Sequence, residues 1–376
     1  MPDTFLNHTP TKKAHTLTIV ADSNIASLSD FFNAHNLAGA AETVEIITCA
    51  GREITADFLA NIQPDVLLVR SVTPVNETLL ADNNSVRFVG SATIGTDHID
   101  QAYLKARGIA FANAAGCSKH SVAQYVLTAA FTLRPEYWHD APTLGIIGLG
   151  NIGSTLALYA KDLGWQVLGY DPLLPVSDVN NSTLDEVLQS SSIISLHVPL
   201  TSAQQSDYPT EHLIDAEALA KMHKDTLLIN SARGAVIAEA DLLADIAKTE
   251  RQVVLDVFEH EPTIAAQTSD ALSIATMHIA GYTLEGKLRG TQMIYDALCQ
   301  TLGLPIVQRI EPLLPANPYH WAALKDAPQL LPEFYDIMQD DAALRAVVTE
   351  GQVQGKDFDG LRRNYPLRRE WAFAAF

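Results

Sequence analysis

The chain of 376 residues holds three cysteines, Cys49, Cys117 and Cys299, far apart in sequence. With no C-x-x-C pair and no even framework, a disulfide-stapled secreted fold is excluded, and the thiols read as reduced residues of a cytoplasmic protein. Basic residues are scarce: 25 Lys and Arg against 44 Asp and Glu leave a net charge of −19. A field of that sign repels nucleic acid and anionic lipid, so neither is an expected partner, and any anionic ligand must be gathered by local cations. Long apolar runs are absent as well. The most apolar helical stretch, Val122 to Leu133, is interrupted by Gln124, Thr128 and Thr132 and is too short to span a bilayer. The N-terminal residues lack the apolar segment of a signal peptide. With 20 Gly and 18 Pro there is no excess of either, and the hydrophobic fraction of 47% is that of a globular chain, which excludes fibrous and disordered classes. At about 150 residues per domain, two to three packed units are expected.

What is present is a long alternation of short apolar runs and helical patterns, which predicts α/β architecture with mostly parallel sheets. LTIV (17–20), VEII (44–47), VLLV (66–69), VRFV (86–89) and IAF (109–111) make a first series of strands. LGIIG from Leu144, WQVLGY from Trp165, IISLHV from Ile193, TLLIN from Thr226, QVVLDVF from Gln252 and IATMHI from Ile274 make a second. Between them Val122, Tyr125, Val126, Ala129, Ala130 and Leu133 recur at helical spacing until Pro135 ends the helix. A second long helix starts near Thr283, with Leu284, Leu288, Thr291, Tyr295, Leu298 and Leu302 on one stripe. Two helices bracketing the second series predict an outer unit, 1–117 plus 280–302, interrupted by an inserted unit, 118–279. Residues 303–376 form a smaller third unit.

The most specific motif opens the inserted unit. LGIIGLGNIGSTLALYA sets Gly148, Gly150 and Gly153 in G-x-G-x-x-G spacing between a strand and a helix, with Asn151 and Ile152 inside the loop. The first glycine permits a tight turn, the second lets a pyrophosphate approach the backbone, and the third lets helix and strand pack closely. Amides at the helix start then face the phosphates. The next strand ends at Asp171, 18 residues after Gly153, where a carboxylate accepts the ribose hydroxyls and disfavours a 2′-phosphate. NAD is therefore the expected cofactor.

Three further segments end strands of the same series. TLLINSARGAVI carries Arg233, VVLDVFEHEP carries Asp256 and Glu261, and TMHIAGYT carries His278. Hydride transfer at an alcohol carbon beside a carboxylate needs this set. A base takes the hydroxyl proton, a cation holds the carboxylate bidentately, and an acid orients the imidazole. His278, Arg233 and Glu261 fit in that order, although Glu259 and His260 stand beside Glu261 and position alone does not choose between the acids. His98, His120 and His197 have no matching partners in sequence and read as structural.

These segments, in this order with GLGNIG and YDP, resemble the D-isomer-specific 2-hydroxyacid dehydrogenase family over nearly the whole chain. VRSVTPVNETLL, FVGSATIGTDHID, HIAGYTLEGKLRG and the tail LRRNYPLRREW are similar to the branch that oxidises 4-phospho-D-erythronate to 2-oxo-3-hydroxy-4-phosphobutanoate in pyridoxal 5′-phosphate biosynthesis. The resemblance implies that the outer unit is a flavodoxin-like substrate-binding domain and the inserted unit a Rossmann NAD domain. Residues 303–376 become a small α+β dimerisation domain of a homodimer. It gives the catalytic roles to Arg233, Glu261, as the acid before Pro262, and His278. It also implies NAD contacts at Asp171, Val198, Asp256, Gly281 and the glycine loop, and substrate contacts at Ser71, Thr93 and Tyr282. No metal is implied. The chain departs from the branch in having Met277 rather than Pro before the histidine, Val198 where Thr is common, and an end soon after Trp371. Rival readings are a dehydrogenase of another acid, such as 3-phosphoglycerate, and an NAD-sensing scaffold.

A substrate with a carboxylate at one end and a phosphate at the other needs two cationic anchors. Arg233 serves the first. For the second the sequence offers Arg70 beside Ser71, Lys287 and Arg289, and the tail arginines Arg362, Arg363, Arg368 and Arg369. The last 26 residues hold five Lys or Arg against three acids, reversing the overall balance. One or more tail arginines reaching a neighbouring subunit's substrate site is the expectation that follows.

Overall fold

In a computed structural model of the chain, residues 16–174 and 180–372 are described. The N-terminal segment read for a leader, 1–15, the stretch 175–179 and the end of the tail, 373–376, lie outside them. The chain divides into two compact units.

The first unit comprises the described residues up to Cys117 together with Leu288–Leu313. Its strands are β1 (Thr16–Asp22), β2 (Thr43–Cys49), β3 (Val66–Val69), β4 (Phe88–Ser91) and β5 (Ala110–Asn113). They pair in parallel in the order β2-β1-β3-β4-β5, the flavodoxin-like order. Val66–Val69 is buried throughout because alternate side chains serve two cores. Val66 and Leu68 pack with Ile19, Phe31 and the Ile294–Leu298 stretch of the long Leu284–Leu302 helix. Leu67 and Val69 pack with Leu59, Leu80 and Leu104 on the other face.

The second unit comprises Ser118–Lys287 and the chain from Leu314 onward. Its main strands are β6 (Thr143–Ile147), β7 (Gln166–Tyr170), β8 (Asn180–Asn181), β9 (Ile193–Leu196), β10 (Leu227–Asn230) and β11 (Val253–Leu255); β12 (Ile264–Ala265) stands apart, and β13 (Ile274–Ala275) completes the sheet. The order β13-β11-β10-β9-β6-β7-β8 is parallel throughout. β6 lies between β9 and β7, so the winding reverses at its carboxyl end, where an open α/β sheet binds its ligand. The helix Lys119–Leu133 is buried along most of its length, the polar Ser121, Gln124 and Thr128 included, and it ends at Arg134 before Pro135.

The C-terminal α+β domain continues this core. β14 (Val348–Thr349) and β15 (Gln352–Val353) form an antiparallel sheet with β12, so the tail pairs with a strand of the inserted segment. Trp321, Leu331, Ile337, Leu344, Phe358 and Trp371 share one cluster with the Rossmann strands. Leu284–Lys287 also belong to this unit, because Glu285 receives Arg369 at 2.6 Å and the Glu370 N–H at 3.0 Å. The crossing to the first unit therefore falls inside the long helix rather than at residue 280. Among the described residues no helix is long and apolar enough to cross a membrane.

Candidate active site

The carboxyl ends of the second unit's sheet carry the expected groups. After β6 the chain turns at Gly148, whose φ of +95° lies in the left-handed region; a Cβ there would stand 2.5 Å from the His197 carbonyl oxygen and 2.9 Å from a Val198 methyl. The turn thus brings Val198, at the end of β9, against the glycine loop. The helix Asn151–Asp162 starts at once, and a Cβ on its cap Gly150 would meet nothing within 4 Å, so the backbone faces open space there. Asp171, after β7, accepts the Leu149 N–H at 2.9 Å and the Leu173 N–H at 3.0 Å, which fixes its carboxylate beside the loop. Open backbone at a helix start with a fixed carboxylate alongside fits the pyrophosphate and adenosine ribose of NAD.

On the other side of the switch point stand the reactive groups. His278 Nδ1 lies 2.9 Å from Glu261 Oε2, and Glu261 Oε1 accepts the Phe258 N–H at 2.9 Å. Burial alone would raise the Glu261 carboxyl. The His278 charge and hydrogen bond, the Phe258 N–H and the Arg362 guanidinium outweigh it and hold the group below its ordinary value. Glu259 turns elsewhere, to His212 Nε2 at 2.7 Å and the Glu239 N–H at 2.9 Å, so the two acids of VFEHEP separate cleanly. Arg233 begins the turn after β10. The neighbouring Gly234 lies so close to the Phe258–Glu259 backbone that a Cβ would stand 1.9 Å from the Phe258 carbonyl carbon, and this approach sets the Arg233 turn against the Glu261 turn. Asn230, buried at the end of β10, closes that turn by donating to the Arg233 carbonyl at 2.9 Å and accepting the Ala232 N–H at 3.0 Å.

His278 has φ +56°, a backbone state that costs energy for a residue with a side chain. Its loop is clamped on both sides. Asp256, expected among the cofactor contacts, is buried beneath the loop and accepts the Ile279 N–H at 2.8 Å, the Ala280 N–H at 2.9 Å and the Thr276 hydroxyl at 2.6 Å. Burial pushes its carboxyl up, against the pull of His278 and these hydrogen bonds. Arg368 of the tail donates to the carbonyls of Ile279, at 3.0 Å, and Ala280. Met277 is buried, and Gly281 passes Ser118, whose Oγ would lie 2.9 Å from a Cβ at Gly281.

Tyr282 also stands on this unit, with Arg362 Nη2 3.2 Å from its hydroxyl and Lys287 Nζ 4.0 Å from its ring centroid. The other expected substrate contacts stand on the first unit. Arg70 and Ser71 follow β3, and Thr93 follows β4, its hydroxyl donating to the Gly95 carbonyl at 3.0 Å and lying 2.7 Å from Ser91 Oγ. The three histidines read as structural pair with hydroxyls: His98 with Ser91 at 3.0 Å, His120 with Tyr159 at 3.1 Å and His197 with Ser195 at 2.9 Å, burial pushing the His197 imidazole down to about 3. Sequence reasoning missed Asn230 and the division of labour among the tail arginines. Three of those arginines contact their own chain, Arg368 at the His278 loop, Arg369 at Glu285 and the carbonyls of Pro315 and Ala316, and Arg362 at Tyr282, while Arg363 is exposed.

Residues 125–280 match the family model for the D-isomer specific 2-hydroxyacid dehydrogenase NAD binding domain, and residues 318–374 match a domain of unknown function. The erythronate-4-phosphate dehydrogenase of Psychrobacter cryohalolentis is 62% identical over 374 residues, covering 94% of this chain and 97% of that protein. The enzyme of the same name from Acinetobacter baumannii is 48% identical, covering 94% of this chain and 98% of its own length. D-lactate dehydrogenase from Aquifex aeolicus, solved with NAD and lactic acid, shares the fold at a TM-score of 0.61 and 24% identity, covering 76% of this chain and 96% of that one. The chain belongs to the erythronate-4-phosphate dehydrogenases, within the D-isomer specific 2-hydroxyacid dehydrogenase family, and carries that family's NAD-binding domain.

Proposed function

We propose that this chain oxidises 4-phospho-D-erythronate at C2 to 2-oxo-3-hydroxy-4-phosphobutanoate, a step towards pyridoxal 5′-phosphate. The observation that carries the reading is the 2.9 Å pair of His278 and Glu261 on the sheet whose other strand ends carry the glycine loop and Asp171. Bound NAD supplies the hydride acceptor. An ionised Glu261 draws the ring proton to Nδ1, which leaves His278 Nε2 bare and able to take the C2 hydroxyl proton. The resulting imidazolium is stabilised by the same carboxylate. Arg233 offers a planar fork for the substrate carboxylate and holds C2 at the base. Gly148, Gly150, Asn151, Ile152, Gly153, Asp171 and Val198 form the dinucleotide cradle in this reading.

Similarity to two named erythronate-4-phosphate dehydrogenases over 94% of the chain supports the choice of acid. The test is NADH formation from NAD with 4-phospho-D-erythronate, 3-phosphoglycerate and D-lactate compared side by side. The reading predicts the highest kcat/KM for the first, and a preference for either other acid overturns it. We also propose a cytoplasmic homodimer. The free thiols of Cys49, Cys117 and Cys299 are in keeping with a reducing compartment, and light scattering on the purified protein tests the subunit count.

A further inference from the structure

Several arginines that are buried or half-buried in the second unit are saturated by the protein. Arg251 donates to Asp245 and to the carbonyls of His223 and Leu219; Arg345 donates to Asp341 and the carbonyls of Ser269 and Leu272. Arg368 and Arg369 are bound to carbonyls and to Glu285, as above. Arg134 leaves its Nε without a partner, yet its Nη2 donates to the Asp225 carbonyl at 3.0 Å, with Glu136 3.8 Å from Nη1. Arg362 has less. It projects from the last turn of the Gly355–Arg363 helix, and only 21% of its side chain is exposed. Its hydrogen bond is the one from Nη2 to the Tyr282 hydroxyl at 3.2 Å. Asp359, on its own helix, stands 4.0 Å from Nη1, beyond hydrogen-bonding distance. Its Nε is buried with no hydrogen-bond partner.

A buried guanidinium N–H without an acceptor costs free energy, and such an orphan calls for an acceptor from outside the fold. The acceptor must be an anion, because Arg362 does not stand alone. Lys287 Nζ lies 4.0 Å from the centroid of the same Tyr282 ring over which the Arg362 guanidinium sits at 5.7 Å. Two cations on one tyrosine, in a chain of net charge −19, gather positive charge beside the carboxylates of Asp359 and Glu261. The site adjoins the reactive centre: the Tyr282 N–H donates to the Ile279 carbonyl of the His278 loop at 2.8 Å, and the Arg362 charge adds to the forces that lower the Glu261 carboxyl.

We propose that Arg362, assisted by Lys287, binds the phosphate of the substrate, and that the C-terminal α+β domain thereby gives its own chain's active site selectivity for a phosphorylated acid. This rests on the proposed activity and deepens it. An Nε and Nη pair makes the bidentate fork that a phosphate accepts, with Tyr282 O–H left to donate a further hydrogen bond.

The test compares Arg362→Ala, Arg362→Lys and Arg363→Ala, the last an exposed neighbour on the same helix, with the parent protein. kcat and KM are measured on 4-phospho-D-erythronate and on unphosphorylated D-erythronate at saturating NAD. Loss of a charge-assisted bidentate contact should raise KM for the phosphorylated acid by about tenfold to a hundredfold in Arg362→Ala. KM for the unphosphorylated acid should change little, any loss of kcat through Glu261 falling on both acids alike; Arg362→Lys should lose less, and Arg363→Ala should match the parent. Equal rises in KM on both acids, or none on the phosphorylated one, overturn the proposal. If Arg362→Ala melts early, Arg362→Lys is read alone: selectivity for the phosphorylated acid must fall, and unchanged selectivity overturns the proposal. Should the parent fail to oxidise 4-phospho-D-erythronate, the proposed activity falls by itself. Titration calorimetry with inorganic phosphate then judges Arg362 separately, binding lost in Arg362→Ala supporting the site and binding equal in all variants overturning it.

Discussion

Glu261 is pulled two ways: burial favours its protonated form, while the His278 contact, the Phe258 N–H and Arg362 favour the carboxylate and prevail. A carboxyl whose folded pKa is depressed adds stability above its unfolded value, about 4.5, and that contribution is lost as the pH falls through the lower folded value. Glu261→Gln should therefore lower Tm at pH 7 and narrow its difference from the parent as the pH drops below 4, which thermal melts across that range will show. The same variant leaves Nδ1 facing a neutral amide and should cut kcat by about tenfold to a hundredfold, whereas His278→Ala should cut it by about two to four orders of magnitude with NAD affinity kept. Near-normal turnover in His278→Ala removes it from the base role. At this scale the sequence was informative because Arg233, Glu261 and His278 each follow a strand of one parallel sheet, so strand ends alone bring them together. Asn230 was not legible, and Arg362 was legible only as one of several candidate cations. Arg362 meets Tyr282 from 80 residues away, a contact no local pattern encodes, and Asn230 has nothing in its local sequence to set it apart from any polar residue ending a strand.

The loop from Thr276 to Gly281 is held less by its own sequence than by what reaches it. Asp256 secures the N–H groups of Ile279 and Ala280, Arg368 secures their carbonyls, and the Tyr125 hydroxyl lies 2.7 Å from Thr276 Oγ1. Arg368 also sits 4.3 Å from the Tyr335 ring centroid and donates to the Tyr365 hydroxyl at 3.2 Å. With every backbone group of two successive residues tied down, the left-handed His278 has no freedom to relax into an ordinary conformation. Arg368→Met keeps the packing volume but leaves the Ala280 carbonyl without its donor and the Ile279 carbonyl with the Tyr282 N–H at 2.8 Å, at a cost of about 1–3 kcal/mol by denaturant titration. The ring of His278 would then lose its fixed aim, so kcat should fall while KM for NAD stays within about twofold; a change confined to stability would show that Asp256 alone sets the loop. Strand and helix positions were readable because burial on both faces leaves unbroken Val, Ile and Leu runs. The clamp was not, since a basic tail rich in arginine reads equally well as solvated surface.

Over the whole molecule, the sequence showed two α/β series and a tail, and it was read as three units because composition changes after Gly303. The structure joins the tail to the Rossmann core. Trp321 is the clearest joint: buried to 1% exposure, it packs edge-on against Tyr159 at 4.6 Å, stacks on Trp371 at 5.9 Å and donates Nε1–H to Asp162 at 2.8 Å. Asp341, from another tail helix, accepts the Ala275 N–H at 2.8 Å and so holds the edge strand that leads to His278. A tail that folded apart would melt apart. Trp321→Ala should remove about 3–5 kcal/mol from a single transition that takes the dinucleotide-binding sheet with it, and hydrogen exchange at Ile274 and Ala275 should quicken as much as at Leu344. If the sheet amides keep the parent's protection while the tail's are lost, the two are separate folding units, and the clamp on His278 can open without unfolding the sheet beneath it.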